Sequence, residues 1–447
     1  MDGCLILNPV ATAFADKKMC NDTVKKLWSS FFLTDGSLQM QEGVENTFRL
    51  GSTQLPELSA GKEYALRIDE KGIAIAGKDH GGLVRGFASF LTMIRYDGKV
   101  FTVNTTEEES QYLVKNRMLH ICIFPENDFY YLKKFIRYAG LCQYTHVVLE
   151  FWGMLKMDCM KELAWPRAFT KAQARELADE CRAFGMEPIP MFNQLGHAAG
   201  ARWCYGKHVV LDQNPKLQYL FSPDGWVWDI TSEEVFDLLK KIRLELYEVF
   251  GEGSFIHIGC DEAAYLNSNL QMRKYFPQYM KRLTEEVVKE GRRPMVWMDM
   301  FLEKDKYTQR FNANASCPAE EVEMMQNSLH PDTVMVDWQY SVKEAPVESL
   351  ESLKDNIRDA MGAPFFNPDN QKAMVDTIVK NDLYGIMMTT WHMMNRKMRS
   401  VLSCAKKCTE LSVDHGLGAE GLFRRISFEG NTYEQCGWCE SQLMDGF

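Results

Sequence analysis

Two adjacent carboxylates, Asp261 and Glu262, directly follow a short apolar run, Phe255–Cys260. Glycines precede the run and a polar segment follows the carboxylates, a pattern typical of a buried parallel strand rather than a helix. Charged residues at the carboxyl ends of such strands occupy the usual active-site position of α/β proteins. A carboxyl group beside a second carboxylate can have its pKa raised towards neutrality, which suits it to donate a proton.

Further polar and aromatic residues stand where other apolar runs end. A sugar ring presents C–H faces that stack on indoles, while its hydroxyls need charged or amide partners. Glycoside cleavage also needs an acid that protonates the leaving oxygen, a role open to Glu262. His197 is either a residue that tunes this acid or a structural histidine. The candidates for the substrate pocket are Glu150, His197, Trp297, Asp299, Trp338, Tyr340 and Trp391.

Eight short apolar runs alternate with amphipathic segments from residue 111 onward. This alternation predicts a (β/α)₈ barrel over residues 111–447, including a C-terminal tail. A doubly wound sheet is the alternative, but no glycine-rich phosphate loop follows any run. The predicted strands are Met118–Ile123, His146–Phe151, Glu187–Phe192, Phe255–Cys260, Pro294–Trp297, Thr333–Trp338, Gly362–Phe366 and Gly385–Thr390.

The first 110 residues have a different pattern. Residues 63–68 and 73–76 read as a β-hairpin, and Asp79 can cap a helix that runs from Gly82 to about Ile94. We expect a small α+β domain over residues 1–110, with the polar run 104–110 as its boundary. Within the barrel, the long segment 193–229 contains Trp203, Trp226 and Trp228 and is expected to contribute a pocket wall or a surface insertion.

The bulk composition is that of a globular protein, with a formal net charge of −10 over 447 residues. The absence of a Lys/Arg block argues against nucleic acid or an anionic membrane as the main partner, so a neutral ligand is expected. No apolar run is long enough to span a bilayer, and the N-terminus does not resemble a signal peptide. The 13 scattered cysteines favour a reducing cytoplasm. A homodimer is compatible with the sequence.

Metal chemistry is a weaker alternative. His120, His197 and His257 lack the spacing of common metal-binding motifs. The single CxxC motif, Cys436–Cys439, has no second pair and no βαβ setting, which disfavours a zinc or redox role. We therefore expect no metal and no cofactor.

The stretch His257–Glu262 resembles the H-x-G-G-D-E signature of glycoside hydrolase family 20, the β-N-acetylhexosaminidases. Three further stretches support the resemblance in the same order along the chain. Residues 116–120 are similar to the family's first-strand R-G-x-x-x-D stretch, and residues 132–149 to its helix and L-N-x-x-x-x-H-L strand. Residues 185–198 resemble G-I-x-x-I-P-E-x-D-x-P-G-H, and residues 64–94 look like the family's N-terminal domain.

The resemblance implies an exo-acting, retaining enzyme for small glycans in which the substrate's own 2-acetamido group attacks the anomeric carbon. By this resemblance Glu262 is the general acid/base and Asp261 orients the acetamido group. Arg117 would bind hydroxyls of the terminal sugar. Trp297, Trp338 and Trp391 would surround the ring.

Several positions depart from the family pattern. Cys260 replaces a glycine, and Asn193 replaces the aspartate of the family's relay, so Glu150 is the candidate for the outer member of a relay through His197. Tyr340 or Asn367 is the candidate for the tyrosine that binds the acetamido oxygen. Two alternatives follow: a catalytically impaired carbohydrate-binding protein, and a glycosidase for sugars without the 2-acetamido group that uses Asp261 as nucleophile.

Overall fold

In a computed structural model, the structure describes residues 3–15, 22–32, 36–41, 48–51, 58–125, 127–199, 210–307, 315–391 and 398–409. Trp203 and the CxxC motif lie outside the described residues. Among the described residues, no helix combines the length and the apolar character that crossing a membrane requires.

The described residues of the N-terminal part form two sheets and two helices. A six-stranded sheet has the order β3-β2-β4-β6-β5-β9, and a three-stranded sheet has the order β1-β8-β7. The elements are β1 (Cys4–Leu7), β2 (Val10–Ala15), α1 (Asp22–Phe32), β3 (Ser37–Gln41), β4 (Phe48–Gly51), β5 (Tyr64–Asp69), β6 (Gly72–Gly77), α2 (His80–Met93), β7 (Arg95–Tyr96), β8 (Phe101–Asn104) and β9 (Thr106–Glu109).

The predicted hairpin is confirmed as the antiparallel pair β5–β6. The helix cap is confirmed as well, because the Asp79 side chain accepts the Gly82 N–H at 2.8 Å. The polar run 104–110, predicted as a boundary, instead contains β9, which pairs with β5 at the edge of the six-stranded sheet. An edge strand tolerates charged residues because one of its sides has no neighbouring strand.

The second part is a closed barrel of eight parallel strands, which confirms the predicted fold class. Each strand except the first follows a segment that contains at least one helix, as parallel neighbours require. The strands are β10 (Asn116–Cys122), β11 (His146–Glu150), β12 (Glu187–Met191), β13 (Phe255–His257), β14 (Arg293–Trp297), β15 (Val334–Trp338), β16 (Asp359–Ala363) and β17 (Gly385–Thr389).

Helices cover the outside of the barrel and begin near the carboxyl ends of the strands. Five of them start with side-chain caps. For example, the Asp128 carboxylate accepts the Tyr130 and Tyr131 N–H groups, and Thr170 forms a capping box with Gln173. The helices are α3 (Phe129–Leu141), α4 (Lys171–Ala183), α5 (Val210–Gln213), α6 (Glu233–Phe250), α7 (Leu270–Lys289), α8 (Val322–Asn327), α9 (Glu348–Glu351), α10 (Pro368–Lys380) and α11 (Met398–Cys408).

Candidate active site

The backbone leaves β13 in an unusual conformation before it reaches the two carboxylates. The predicted strand ended at Cys260, but the observed strand ends at His257. Gly259, Cys260 and Glu262 have φ angles of 67°, 75° and 49°. Left-handed backbone at non-glycine residues costs about 1–3 kcal/mol each and clusters at functional sites. The turn therefore stores strain while it presents Asp261 and Glu262.

Two glycines allow the segment after β12 to approach this turn. A Cβ atom on Gly259 would lie 1.7 Å from Asn193 Oδ1, and one on Gly196 would lie 2.0 Å from the Asp261 carbonyl oxygen. Any side chain at either position would collide with its neighbour. The close approach brings His197, itself in a left-handed conformation with φ 56°, against the carboxylate pair.

His197 contacts both carboxylates through one nitrogen. Its Nε2 lies 3.2 Å from Asp261 Oδ2 and 3.2 Å from Glu262 Oε2. Burial opposes a charge on the imidazole, but Asp261 and Glu262 outweigh burial and raise the pKa of His197 to about 9. The ring is therefore protonated at neutral pH, and its positive charge lies beside both carboxyl groups. His197 is thus in contact with the proposed acid, and its role in tuning that acid stays a prediction.

The two carboxylates differ in their access to solvent. Asp261 is 4 % exposed as a residue, whereas the Glu262 side chain is 33 % exposed. A group that exchanges protons with a leaving group and with water must be reachable, and Glu262 meets this condition. A buried carboxylate such as Asp261 is instead suited to stabilise a substrate group that packs against it. The geometry separates the two residues in the way that an acid and a charge-stabilising group require.

The main chain of Glu262 is held from two sides. Its N–H donates to Asp299 Oδ2 at 2.7 Å, and its carbonyl oxygen accepts the Trp226 indole N–H at 2.8 Å. Asp299 was expected to bind substrate, but it is fully buried and its carboxylate contacts the backbone of Glu262. That expectation is therefore corrected: Asp299 lies behind the acid rather than in a pocket.

Part of the long segment after β12 forms a wall beside the acid. The Trp226 ring lies 4.3 Å from the His197 ring, measured between centroids. Hydrogen bonds from Ala198 N to Trp226 O and from Trp228 N to Leu195 O join the two ends of the segment. Trp226 thus lies beside the proposed acid, and the role of this segment as a pocket wall stays a prediction. The Trp226 ring was noted in the sequence, but its link to Glu262 was missed because it depends on this folding of the segment.

Trp338, Tyr340 and Trp391 form an aromatic group on the opposite strands. The Trp391 N–H donates to the Tyr340 hydroxyl at 2.8 Å, and the Trp338 and Tyr340 rings lie 5.2 Å apart. Burial raises the pKa of Tyr340, and the negative charges of Asp261 and Glu262 add to this effect. Of the two candidates for the acetamido partner, Tyr340 therefore lies in the electrostatic surroundings of the pair.

Asn367, the other candidate, is engaged elsewhere. It caps α10, and its side-chain oxygen accepts the N–H groups of Asp369 and Asn370. An oxygen already committed to two backbone donors is poorly placed to orient a substrate. Tyr340 remains the better candidate.

Trp297 lies below the rim rather than on it. The side chain is fully buried, with its ring 4.4 Å from His257 and 5.6 Å from Trp391. It was expected to surround the sugar together with Trp338 and Trp391. In the structure it forms the layer beneath Trp391, so only Trp338 and Trp391 of the three retain some exposure.

Glu150 is buried inside the barrel but does not extend a relay through His197. Its Oε2 lies 2.9 Å from His120 Nε2, and its Oε1 accepts the Asn193 amide N–H at 2.9 Å. The two carboxyl oxygens of Glu150 are bound by His120 and Asn193, whereas Nε2 of His197 contacts Asp261 and Glu262. The relay assigned to Glu150 is therefore wrong. The inward position of His120, two residues from Met118 and Cys122 on β10, was the available signal.

Arg117 lies at the wrong end of the barrel to bind sugar. It is the second residue of β10, and its guanidinium donates to the carbonyl oxygens of Val114 and Gln143 at 2.9 Å. It also lies 3.4 Å from Glu63 of the N-terminal part. The prediction that Arg117 binds the substrate is wrong, because amino ends of barrel strands lie opposite the active-site face.

A metal centre finds no support in the described part of the chain, where no group of three or more His, Cys, Asp or Glu side chains could hold a metal ion. His257 is fully buried, and burial followed by the nearby His120 lowers its pKa well below the usual value. The Gly259 N–H donates to His257 Nδ1 at 3.1 Å, so this nitrogen is occupied.

Comparisons with known proteins agree with the fold. Residues 145–352 match the "Glycosyl hydrolase family 20, catalytic domain". This span includes β11 to β15, His197, the carboxylate pair and Asp299. Five strands of the barrel, β11 to β15, thus match the family 20 catalytic domain, in agreement with the resemblance seen in the sequence. The chain is a glycoside hydrolase.

Solved structures show the same architecture at low sequence identity. The chain is similar to a chitobiase from Flavobacterium johnsoniae, with 14 % identity, a TM-score of 0.69, and coverage of 100 % of this chain and 71 % of that one. A β-N-acetylhexosaminidase from Bacteroides fragilis NCTC 9343 gives 14 % identity, a TM-score of 0.69, and coverage of 99 % and 93 %. No curated protein is detectably similar to the chain in sequence.

Proposed function

We propose that the protein is a retaining exo-β-N-acetylhexosaminidase that releases terminal β-linked GlcNAc or GalNAc by substrate-assisted catalysis. The observation that carries the proposal is the pair Asp261–Glu262, in which one carboxylate is buried and the other is accessible. Family 20 is among the groups of glycosidases in which the substrate supplies the nucleophile. The solved relatives named above are a chitobiase and a β-N-acetylhexosaminidase, which supports the same substrate class.

Glu262 has the role of general acid and then of general base. It protonates the glycosidic oxygen as the bond to the anomeric carbon breaks, and it later takes a proton from the water that opens the cyclic intermediate. The hydrogen bonds to its N–H and its carbonyl oxygen fix its main chain during both steps. The protonated His197, 3.2 Å from its carboxylate, orients the side chain.

Asp261 has the role of holding the acetamido group. The amide oxygen attacks the anomeric carbon from within the same molecule, so the protein needs positioning rather than a nucleophile of its own. Attack leaves positive charge on the amide, and the buried carboxylate of Asp261 stabilises that charge. Tyr340, which accepts the Trp391 N–H, is the proposed hydroxyl partner of the amide oxygen.

Turnover of aryl glycosides with and without the 2-acetamido group tests the proposal. The wild-type protein should hydrolyse aryl β-GlcNAc and leave aryl β-glucoside intact. Glu262→Gln should lose about 10²–10⁴-fold in kcat, the usual contribution of general acid–base catalysis. The exposed Glu234 provides a control, since Glu234→Gln should retain full activity. A near-normal rate in Glu262→Gln would refute the mechanism.

A thiazoline that mimics the cyclic intermediate distinguishes the two nucleophiles. Strong inhibition of the wild-type protein supports attack by the acetamido group. Weak inhibition together with hydrolysis of plain glucosides would instead support Asp261 as a direct nucleophile. A protein that binds acetamido sugars without turning them over would support the binding-protein alternative.

The location and assembly of the protein stay predictions. We propose a reducing cytoplasm, which is supported by the many cysteines and by the finding that no disulfide joins two of the described cysteines. The homodimer that the sequence allows is open to measurement by light scattering.

A further inference from the structure

We infer that Asp299 is a positioning residue that orients the general acid through a hydrogen bond to the main chain of Glu262. The inference rests on the proposed role of Glu262. It assigns Asp299 a function different from the substrate binding expected from the sequence. Asp299 comes two residues after the end of β14, on the strand next to the one that leads to the acid.

Asp299 is hydrogen-bonded directly to the residue that carries the acid. Its Oδ2 accepts the Glu262 N–H at 2.7 Å, and the bond is shielded because Asp299 is fully buried. Glu262 has a φ of 49°, a conformation that costs free energy unless its surroundings impose it. Trp226 holds the carbonyl oxygen of the same residue at 2.8 Å. The Ala264 N–H also donates to this carbonyl oxygen, at 2.8 Å. Without Asp299, the hydrogen bond that holds the N–H side of this strained residue is lost, and only the bonds to its carbonyl oxygen remain.

The surroundings of Asp299 also define its charge. Burial, and then the negative charge of Asp261, raise its pKa well above the usual value, and Glu262 acts in the same direction through its charge. The hydrogen bond from the Glu262 N–H and a contact with Trp338 oppose the shift without cancelling it. A raised pKa favours a neutral carboxyl group, so the Glu262 N–H donates to a carboxyl oxygen that needs no negative charge to accept it.

Two substitutions of Asp299 differ in whether they keep an acceptor for the Glu262 N–H. Asparagine keeps an acceptor oxygen in the same place and is neutral, so Asp299→Asn should keep kcat within about 3-fold of wild type. Alanine removes the acceptor, so Asp299→Ala should lose about 10²-fold in kcat with little change in KM, as expected when a reacting group moves by about 1 Å. Asp337 supplies a matched control. It is a fully buried carboxyl at the end of β15 and accepts the Ser349 hydroxyl at 2.6 Å, away from Glu262.

The choice of leaving group adds a measurement that loss of stability alone would not affect. A nitrophenolate leaves without much help from an acid, whereas an alkoxide needs a proton. If Asp299 positions Glu262, Asp299→Ala should lose far more kcat on an alkyl β-GlcNAc than on nitrophenyl β-GlcNAc. Asp337→Ala should lower both rates by the same factor, through the fraction of folded protein.

Hydrogen exchange tests the hydrogen bond between the Glu262 N–H and Asp299 without relying on turnover. The Glu262 amide should exchange faster in Asp299→Ala than in wild type, and at the wild-type rate in Asp299→Asn. In Asp337→Ala it should exchange faster only by the factor shared by the other buried amides of the barrel, because that change acts through global unfolding. The inference is overturned if Asp299→Ala keeps its kcat and its slow exchange while wild type is active. It is also overturned if Asp299→Asn is as impaired as Asp299→Ala, since charge would then be the property that matters. An inactive wild type would refute only the proposed function, because the exchange experiment would still test the hydrogen bond between Asp299 and the Glu262 N–H.

Discussion

His120 and Glu150 are hydrogen-bonded inside the barrel, with 2.9 Å between His120 Nε2 and Glu150 Oε2. Both side chains are fully buried, and Asn193 donates to the second carboxyl oxygen of Glu150. Both oxygens of the buried carboxyl group therefore have a polar partner. Removing the Glu150 side chain leaves His120 and Asn193 with buried polar atoms that lack a partner, at a cost of about 1–3 kcal/mol for each group.

We predict that Glu150→Ala lowers the free energy of unfolding by about 2–6 kcal/mol, the combined cost for His120 and Asn193. Glu150→Gln should cost less, because the amide keeps the volume and an acceptor for Asn193. Urea denaturation measures both values. As a control, Glu176→Ala removes the partner of Lys133 at an exposed site and should cost under about 1 kcal/mol. Equal losses in Glu150→Ala and Glu176→Ala would contradict the assigned pairing.

The raised pKa of His197 predicts how stability changes with pH. The folded-state value is about 9 and the ordinary value is 6.5, so the stabilising proton is fully bound below about pH 6.5 in both states. Stability from this group is then lost as the pH rises towards 9, and the loss is roughly 3 kcal/mol. Thermal unfolding between pH 6 and pH 9.5 measures it.

The comparison for this experiment is His197→Gln, which cannot titrate. The wild type should lose Tm across that pH interval, and His197→Gln should show a flatter profile. A wild-type profile that matches the variant would show that the imidazole carries no extra proton at neutral pH.

The fold was predictable in unusual detail because the barrel is built from repeated, strongly patterned segments. The predicted strand that begins at His146 agrees with the start of β11. The prediction fails where the backbone conformation, and not the hydrophobic pattern, determines the end of a strand. β13 ends three residues early because Gly259 and Cys260 turn into left-handed conformations.

The candidate site was predictable as a set of positions but not as a set of contacts. Carboxyl ends of strands converge, so His197, Asp261 and Glu262 could be grouped from their places in the chain. The partners of Glu150 and Asp299 depend on which way a side chain points and on the φ angle of a neighbour. Arg117 was misassigned because similarity to a motif outweighed its place at the amino end of β10.

A methyl group at position 259 should damage both stability and activity. Gly259→Ala adds a left-handed alanine and a collision with Asn193 Oδ1, which would lie 1.7 Å from the new atom. We expect a loss of more than about 2 kcal/mol in the free energy of unfolding. Gly61 is the control, because its φ is 81° and nothing lies within 4 Å of an added Cβ. Gly61→Ala should cost about 1–2 kcal/mol and leave kcat unchanged; equal losses at both positions would exclude the collision.

Arg117 should matter for stability and not for substrate binding. Arg117→Met removes donors to Val114 and Gln143 and the partner of Glu63, so we expect a loss of about 3 kcal/mol in the free energy of unfolding. KM for aryl β-GlcNAc, measured on the folded protein, should stay within about 2-fold of wild type, since Arg117 lies opposite the active-site face. A large rise in KM with unchanged stability would restore the sugar-binding role.

Tyr340 should bind the acetamido oxygen in the transition state. Its hydroxyl accepts the Trp391 N–H at 2.8 Å and is also hydrogen-bonded to the Thr389 side chain, so a substrate oxygen would replace Thr389 as the acceptor of the phenolic hydrogen. Tyr340→Phe removes that donor while keeping the ring against Trp338, so kcat/KM for aryl β-GlcNAc should fall about 10²–10³-fold, as when an oxyanion-type donor is lost. Tyr219 provides the comparison: its exposed hydroxyl donates to Glu234, and Tyr219→Phe should be silent. If Tyr340→Phe keeps kcat/KM near wild type, the acetamido oxygen must be held by a different donor.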